Sequence, residues 1–352
     1  MFADKVTINQ QVFFFPLLII FFTTLAPSCS SPGSKTQPIP EAMLTGDPLI
    51  DELSSRILEE SDNAALYFKR AEALYQREAM DEAIADMEKA LSLDSTNIDY
   101  LHFLADIYLD YFRSRKALET LYKAVKLNPK RIPTLLKLSE FQMIVEQYDQ
   151  GLATTERIHQ IDPFNAEAWF MQGLIQENRG DTASALDAYL KAGESDPMLI
   201  DAWIHLGRLL DEVRDPRAGL YFDNALRVDS LNAEALLGRG NAYFTQGMLE
   251  EAIATFEIIK RIDPQFPKAY FNSGLVYMEL QDWDEAYNQF DVCVRVNPLY
   301  RLGYFYRGRA SEQRGDLKTA KIDYQNALKM GGSFPAAEEA LANVEIMIKR
   351  AQ

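Results

Sequence analysis

Small residues return every 34 positions along most of this chain, and that period limits the possible folds more than any other feature. Gly173, Gly207, Gly240, Gly274 and Gly308 stand 34, 33, 34 and 34 residues apart, and the series runs back through Ser139, Ala105 and Ala71. A second small series follows about twelve positions on, at Ala83, Ala117, Gly151, Ala185, Ala218, Ala252, Ala286 and Ala320. A third, seven positions further, reads Ala90, Ala124, Ile158, Ala192, Ala225, Ile259, Cys293 and Ala327. Two antiparallel helices can nest their backbones only where side chains are small. Each period therefore predicts one helical hairpin, and eight periods predict a stack of eight.

Apolar residues between these positions keep helical spacing. Trp169 and Gly173 lead one helix and Ala185, Tyr189 and Ala192 the next, relations of i, i+3, i+4 and i+7 that mark an amphipathic helix. Gly180, Gly247 and Gly315 fall where the first helix of a pair should stop, because glycine enters the left-handed conformation without steric cost. Asn128-Pro129, Asp162-Pro163, Asp196-Pro197, Asp263-Pro264 and Asn297-Pro298 close the second helices, since proline has no amide hydrogen and restricts the residue before it.

Numbered from Ala64, the first unit has small residues at positions 8, 20 and 27. With an aromatic residue or Leu at position 4 and Pro at position 32 of many units, this resembles the tetratricopeptide repeat pattern. The resemblance covers residues 64–334 and implies an all-α superhelical solenoid of antiparallel helix pairs. The fifth unit is one residue short near Val213 to Pro216, and Ile158 and Ile259 are larger than the pattern expects. Such units cannot cover their own apolar faces at the ends of a stack. Residues 49–63, with Ile50, Leu53, Ile57 and Leu58, are therefore expected to form one capping helix, and 335–352, with Ala337, Leu341, Val344 and Ile348, another.

The leader is a separate feature. VFFFPLLIIFFTTL, from Val12 to Leu25, is shorter than the roughly 20 apolar residues that span a bilayer. Ala26, Pro27, Ser28 and Cys29 follow it, and then a Ser/Pro-rich stretch. The order resembles a bacterial lipoprotein signal, although Leu25 lies four residues before Cys29 and the family usually has Leu at three. The resemblance implies a signal peptide over 1–28, a lipid anchor on Cys29, a flexible tether over 29–48 and an envelope location facing the periplasm. An uncleaved membrane anchor and an ordinary secreted protein are the alternatives.

A net charge of -16 argues against nucleic acid as the main partner, because that binding depends on Lys and Arg neutralising phosphates. Two cysteines supply no disulfide framework or cysteine metal site; Cys293 reads as a small buried apolar group. His102, His159 and His205 are far apart in sequence and lack metal-ligand spacing. No phosphate loop or nucleophile elbow occurs, so no enzyme, cofactor or metal is expected. The two Arg-Gly-Asp triplets, at Arg179 and Arg314, fall at the turn inside a hairpin, where Gly ends one helix and Asp starts the next.

What remains is the inner face of the first helices. The tetratricopeptide resemblance implies that positions 2, 5, 9 and 12 of each unit point into a concave groove. That assigns Phe170, Ile204, Leu237, Phe271 and Phe305 at position 5 and Arg208, Asn241 and Arg309 at position 9. Phe244, Met278 and Tyr306 lie beside them. An aromatic and aliphatic strip suits a peptide or protein partner. Groove proteins that hold a C-terminal carboxylate usually carry Lys at position 5 and Asn at position 9; only Asn241 fits, which disfavours that mode. A protein that self-associates through its convex or terminal faces is the alternative.

Overall fold

The structure, a computed structural model, describes residues 45–350. The leader, Cys29 and most of the tether lie outside the described residues. Within them, every regular element is an α-helix, which agrees with the all-α reading. The chain divides into two units after Ser61. In the first, α1 (Pro48–Glu59) starts at Asp47, whose carboxylate accepts from the N–H groups of Leu49 and Ile50. Ile50, Leu53 and Ile57 are buried, whereas Leu58, expected beside them, is exposed because it sits one helical step round from that stripe.

The second unit is a stack of helix pairs. The first four pairs are α2 (Ala64–Gln76) with α3 (Met80–Leu93), α4 (Ile98–Asp110) with α5 (Ser114–Leu127), α6 (Ile132–Ile144) with α7 (Tyr148–Ile161), and α8 (Ala166–Arg179) with α9 (Thr182–Ser195). The next four are α10 (Ile200–Glu212) with α11 (Ala218–Val228), α12 (Ala233–Thr245) with α13 (Leu249–Ile262), α14 (Pro267–Glu279) with α15 (Trp283–Val296), and α16 (Arg301–Gln313) with α17 (Leu317–Lys329). In the fifth unit, which is one residue short, α11 has 11 residues, whereas the other second helices have 13 or 14. α18 (Pro335–Arg350) buries Ala337 and Val344 against a cluster that includes Phe305 and Tyr324.

The small residue at position 8 is set by what stands opposite it. In the last five pairs glycine faces a ring near position 24 of the partner helix: Gly173 faces Tyr189, Gly207 Phe222, Gly240 Phe256, Gly274 Phe290 and Gly308 Tyr324. A Cβ on Gly274 would come within 2.6 Å of the Phe290 ring and one on Gly240 within 2.4 Å of Phe256, so no side chain fits there. In the first three pairs position 8 holds Ala71, Ala105 and Ser139, and position 24 holds the slimmer Met87, Leu121 and Thr155. Backbone approach and ring size are therefore chosen together.

Turns follow the same economy of form. Glycine occupies the left-handed position inside three hairpins, at Gly180, Gly247 and Gly315. The other five hairpins place Glu78, Phe112, Glu146, Arg214 and Gln281 there, with φ between 55° and 61°. The pattern of glycines alone shows less than half of this feature, because the hairpin geometry imposes the conformation whatever the residue. Cys293 is fully buried, and burial pushes its thiol pKa up to about 12.

Gly274→Ala should destabilise the seventh hairpin by about 1 to 3 kcal/mol through overpacking. Phe290→Leu should cost a similar amount through a cavity, about 1 to 3 kcal/mol. Together they should cost clearly less than their sum, because the smaller side chain makes room for the added methyl. Hydrogen exchange of α14 and α15 measures this cycle locally; strict additivity would show that the two positions are not coupled.

Candidate functional site

First helices of successive pairs touch one another directly between α6 and α8, α10 and α12, and α12 and α14. Along this face polar side chains bridge from one repeat to the next. Tyr75 on α2 donates to Asp110 on α4, and Lys137 on α6 pairs with Asp106 on α4 at 2.6 Å. His102 Nε2 meets the Thr134 hydroxyl at 3.0 Å. Glu177 on α8 receives Arg208 of α10, stands 3.2 Å from His205 Nδ1 and accepts from Tyr189 at 2.7 Å. Burial opposes ionisation of Glu177, but the bonds from His205 and Tyr189 and the Arg208 charge outweigh it and bring its carboxyl down to about 2. Further on, the Asn272 amide donates to Asn241 at 2.7 Å.

This ladder changes the standing of the expected groove residues. Arg208 and Asn241 are committed to neighbouring repeats, and Phe170 is half-buried with its ring against Tyr189 and His205. Ile204, Phe271 and Phe305 were expected on an exposed inner strip; they are only 4%, 7% and 8% exposed, which corrects that expectation. The cause is the depth of position 5. Phe271 is enclosed by Phe290, Tyr300 and Tyr306, with centroids 5.2 to 5.7 Å away, and Phe305 by Tyr306, Tyr324 and Phe334. Leu237, Phe244, Met278 and Tyr306 are half-buried, and Arg309 is exposed. Met278 and Tyr306 pack in the same cluster as Phe271.

The partly open surface of the C-terminal half thus centres on position 12, at Phe244 and Met278, with Leu275 and Arg309 at position 9 of the following units. Asp106, Glu177 and Asn272 were not singled out from the sequence. The register places Asp106 at position 9 and Glu177 at position 12, but only the stacking shows which neighbour each one bridges.

Among the described residues no group of three or more His, Cys, Asp or Glu is placed to hold a metal ion. At the hairpin turns, Gly180 takes φ of 85° and Asp181 caps α9 by accepting from Ser184, while Arg179 pairs with Asp149 at 2.9 Å. Arg314 likewise pairs with Asp284 at 2.7 Å, so both Arg-Gly-Asp triplets link neighbouring repeats.

Burial first, then the charges of Lys137 and Arg131, lowers the His102 pKa to about 4, whereas Asp99 acts to raise it. Near pH 6.5 and below, the unfolded chain gains a proton that the folded chain does not, so this group's contribution to stability is lost as pH falls towards 4. Asp106, raised by burial despite Lys137, acts in the opposite sense. Comparison with His102→Gln separates the two. Relative to that variant, the parent should lose on the order of 1 kcal/mol between pH 7 and pH 4.5, discounted for the partly exposed ring. Denaturant midpoints that run parallel over this range would contradict it.

Comparison with known proteins places this geometry. Residues 53–98, 145–197, 205–267 and 271–338 match a tetratricopeptide repeat family, and residues 98–131 match a second family of that description. The Hsp70-Hsp90 organizing protein 1 of Glycine max is 26% identical over 206 residues, 56% of this chain and 35% of that protein. Its counterpart from Triticum aestivum is 25% identical over 216 residues, 58% of this chain and 36% of that protein. The matched region spans about a third of the length of these relatives. A tetratricopeptide repeat protein from Parabacteroides merdae aligns over 70% of this chain and 98% of its own, with TM-score 0.53 and 18% identity. The Cut9-Hcn1 hetero-tetramer of APC/C aligns over 84% of this chain and 58% of the matched chain, with TM-score 0.52 and 17% identity. At such identities the two structures attest to the fold alone.

Proposed function

The chain belongs to the tetratricopeptide repeat family, and we propose that it is a non-enzymatic scaffold that holds a peptide or protein partner on the inner face of its C-terminal repeats. The observation that carries this reading is the change along that face. From α2 to α10 much of the inner polar surface is spent on neighbouring repeats. Beyond the Asn241–Asn272 bond, Phe244 and Met278 remain partly open, and Arg309 is exposed with no ion pair among the described residues. Aromatic, Met and Arg side chains are enriched at protein interfaces.

The names of the Glycine max and Triticum aestivum relatives describe proteins that organize Hsp70 and Hsp90. For this chain a chaperone-tail mode is not favoured: no unit has Lys at position 5, and the one matching Asn, Asn241, is engaged by Asn272. The leader and Cys29 support a lipid-anchored protein of a bacterial envelope facing the periplasm. Cys29→Ala should then abolish incorporation of a fatty-acid analogue; unchanged labelling would remove the anchor from the proposal.

Phe244→Ala with Met278→Ala should weaken partner binding at least about tenfold and, per side chain, lower the melting temperature less than truncation of a fully buried ring, because both side chains are partly open although packed against the core. Phe271→Ala, in contrast, should cost about 3 to 5 kcal/mol of stability. A photo-crosslinking residue at Arg309 identifies the partner in cells, and the affinity of that partner is then measured for each variant. Unchanged affinity in the double variant would refute the proposed face.

A further inference from the structure

The turns that join one pair to the next all lie on one edge of the stack, since each follows the second helix of its pair. From the third turn to the seventh, four of the five end in a large apolar side chain that faces solvent; the first and second turns have Thr96 and Lys130 at that place. Phe164 is 78% exposed, Met198 67%, Leu231 59% and Leu299 81%. The equivalent residue of the sixth turn is Gln265. Nothing in the turn calls for these residues. The N–H of each donates to the Asp or Asn two positions earlier, from Phe164 to Asp162 at 3.2 Å and from Leu299 to Asn297 at 3.0 Å, and any non-proline residue could do the same. Trp169 and Trp203 brace two of the turns further by donating to the carbonyls of Pro163 and Pro197. The tips are thus held outward on braced turns.

Charges beside the tips follow a second pattern. Four residues before and three residues after the tip, the fourth turn carries Glu194 and Asp201, and the sixth carries Arg261 and Lys268. The fifth, between them, carries Arg227 and Glu234, one of each sign. Helix dipoles favour a base before the tip and an acid after it, as at the fifth turn. Glu194 and Lys268 break that preference, one on each side of the fifth turn and at equal distance from it.

We infer that this edge is a self-complementary surface on which a second copy of the chain packs antiparallel, about a two-fold axis through the fifth turn. That arrangement sets Phe164 against Leu299, Leu231 against its own counterpart, Glu194 against Arg261 and Asp201 against Lys268. Both copies have the same repeat period, so the tips stay in register. The apolar tips supply the attraction, while the charges fix direction and exclude the parallel arrangement, which would set like against like. The surface is distinct from the inner face, so the inference does not depend on the proposed partner site.

Sedimentation velocity of the full-length chain in density-matched detergent, across the micromolar range, tests it. The expected result is a reversible monomer–dimer equilibrium. Phe164→Asn with Leu231→Asn should raise the dissociation constant at least about tenfold without loss of helical signal, because Asn suits this turn position. Glu194→Arg and Arg261→Glu should each weaken the dimer, and together they should restore it. A chain that stays monomeric, or a dimer indifferent to the Asn variant, would overturn the inference; a charge-swapped pair that fails to recover would overturn the antiparallel register.

Discussion

Everything in the stack depends on how closely the two helices of a pair approach, and in the last five pairs that distance is set by one contact: glycine against an aromatic ring. With a Cβ at 2.4 to 2.6 Å from the ring in the sixth and seventh pairs, the contact admits no larger residue. The ring therefore packs on bare backbone and is itself fully buried, as Phe256 and Phe290 are. Phe222 extends the principle across repeats, since it is cradled both by Gly207 of its own pair and by Gly238 of the next. Pair and stack are joined there by one side chain.

Because that contact fixes the spacing, the inner face inherits its depth. Position 5 lies low enough that Phe271 and Phe305 join the ring clusters of their own and neighbouring pairs, and positions 9 and 12 stand above them. Their surroundings then diverge along the chain. Where Glu177 meets Arg208, the groove wall is occupied by a paired carboxylate with its pKa held near 2; where Phe244 and Met278 stand, the wall is apolar. A surface ion pair is worth little alone, but Glu177 is also bonded by Tyr189 and His205 and acts as a brace between α8 and α10.

The fold was legible in the sequence because periodicity is a property of the chain itself: Gly173 to Gly308 declare the pair spacing, and the Asp-Pro and Asn-Pro dipeptides declare where it repeats. The candidate site was legible only as a register. Position 5 and position 9 were assigned together to the groove, yet Phe305 is buried and Arg309 exposed. The period says which residues share a face; it does not say how deep that face is cut. Depth depends on the rings of the neighbouring pair, as Tyr306 shows by closing over Phe271. The inter-repeat bonds were hidden for the same reason, since Asn241 and Asn272 lie 31 residues apart and meet only after stacking.

A repeat protein also has surfaces that its internal packing leaves free, and selection can act on these without disturbing the fold. The turn between one pair and the next is such a place. Its backbone bonds are satisfied by the preceding Asp or Asn, so the side chain that follows is released from structural duty. A polar residue there would keep the edge soluble, as Gln265 does in the sixth turn. Large apolar side chains at four of the neighbouring positions, with acids on one side of the fifth turn and bases on the other, run against solubility and against the helix dipole at Glu194 and Lys268. The constraint that places them must come from outside the single stack, and this edge, separate from the inner face of the first helices, is a second and independent place for it to act.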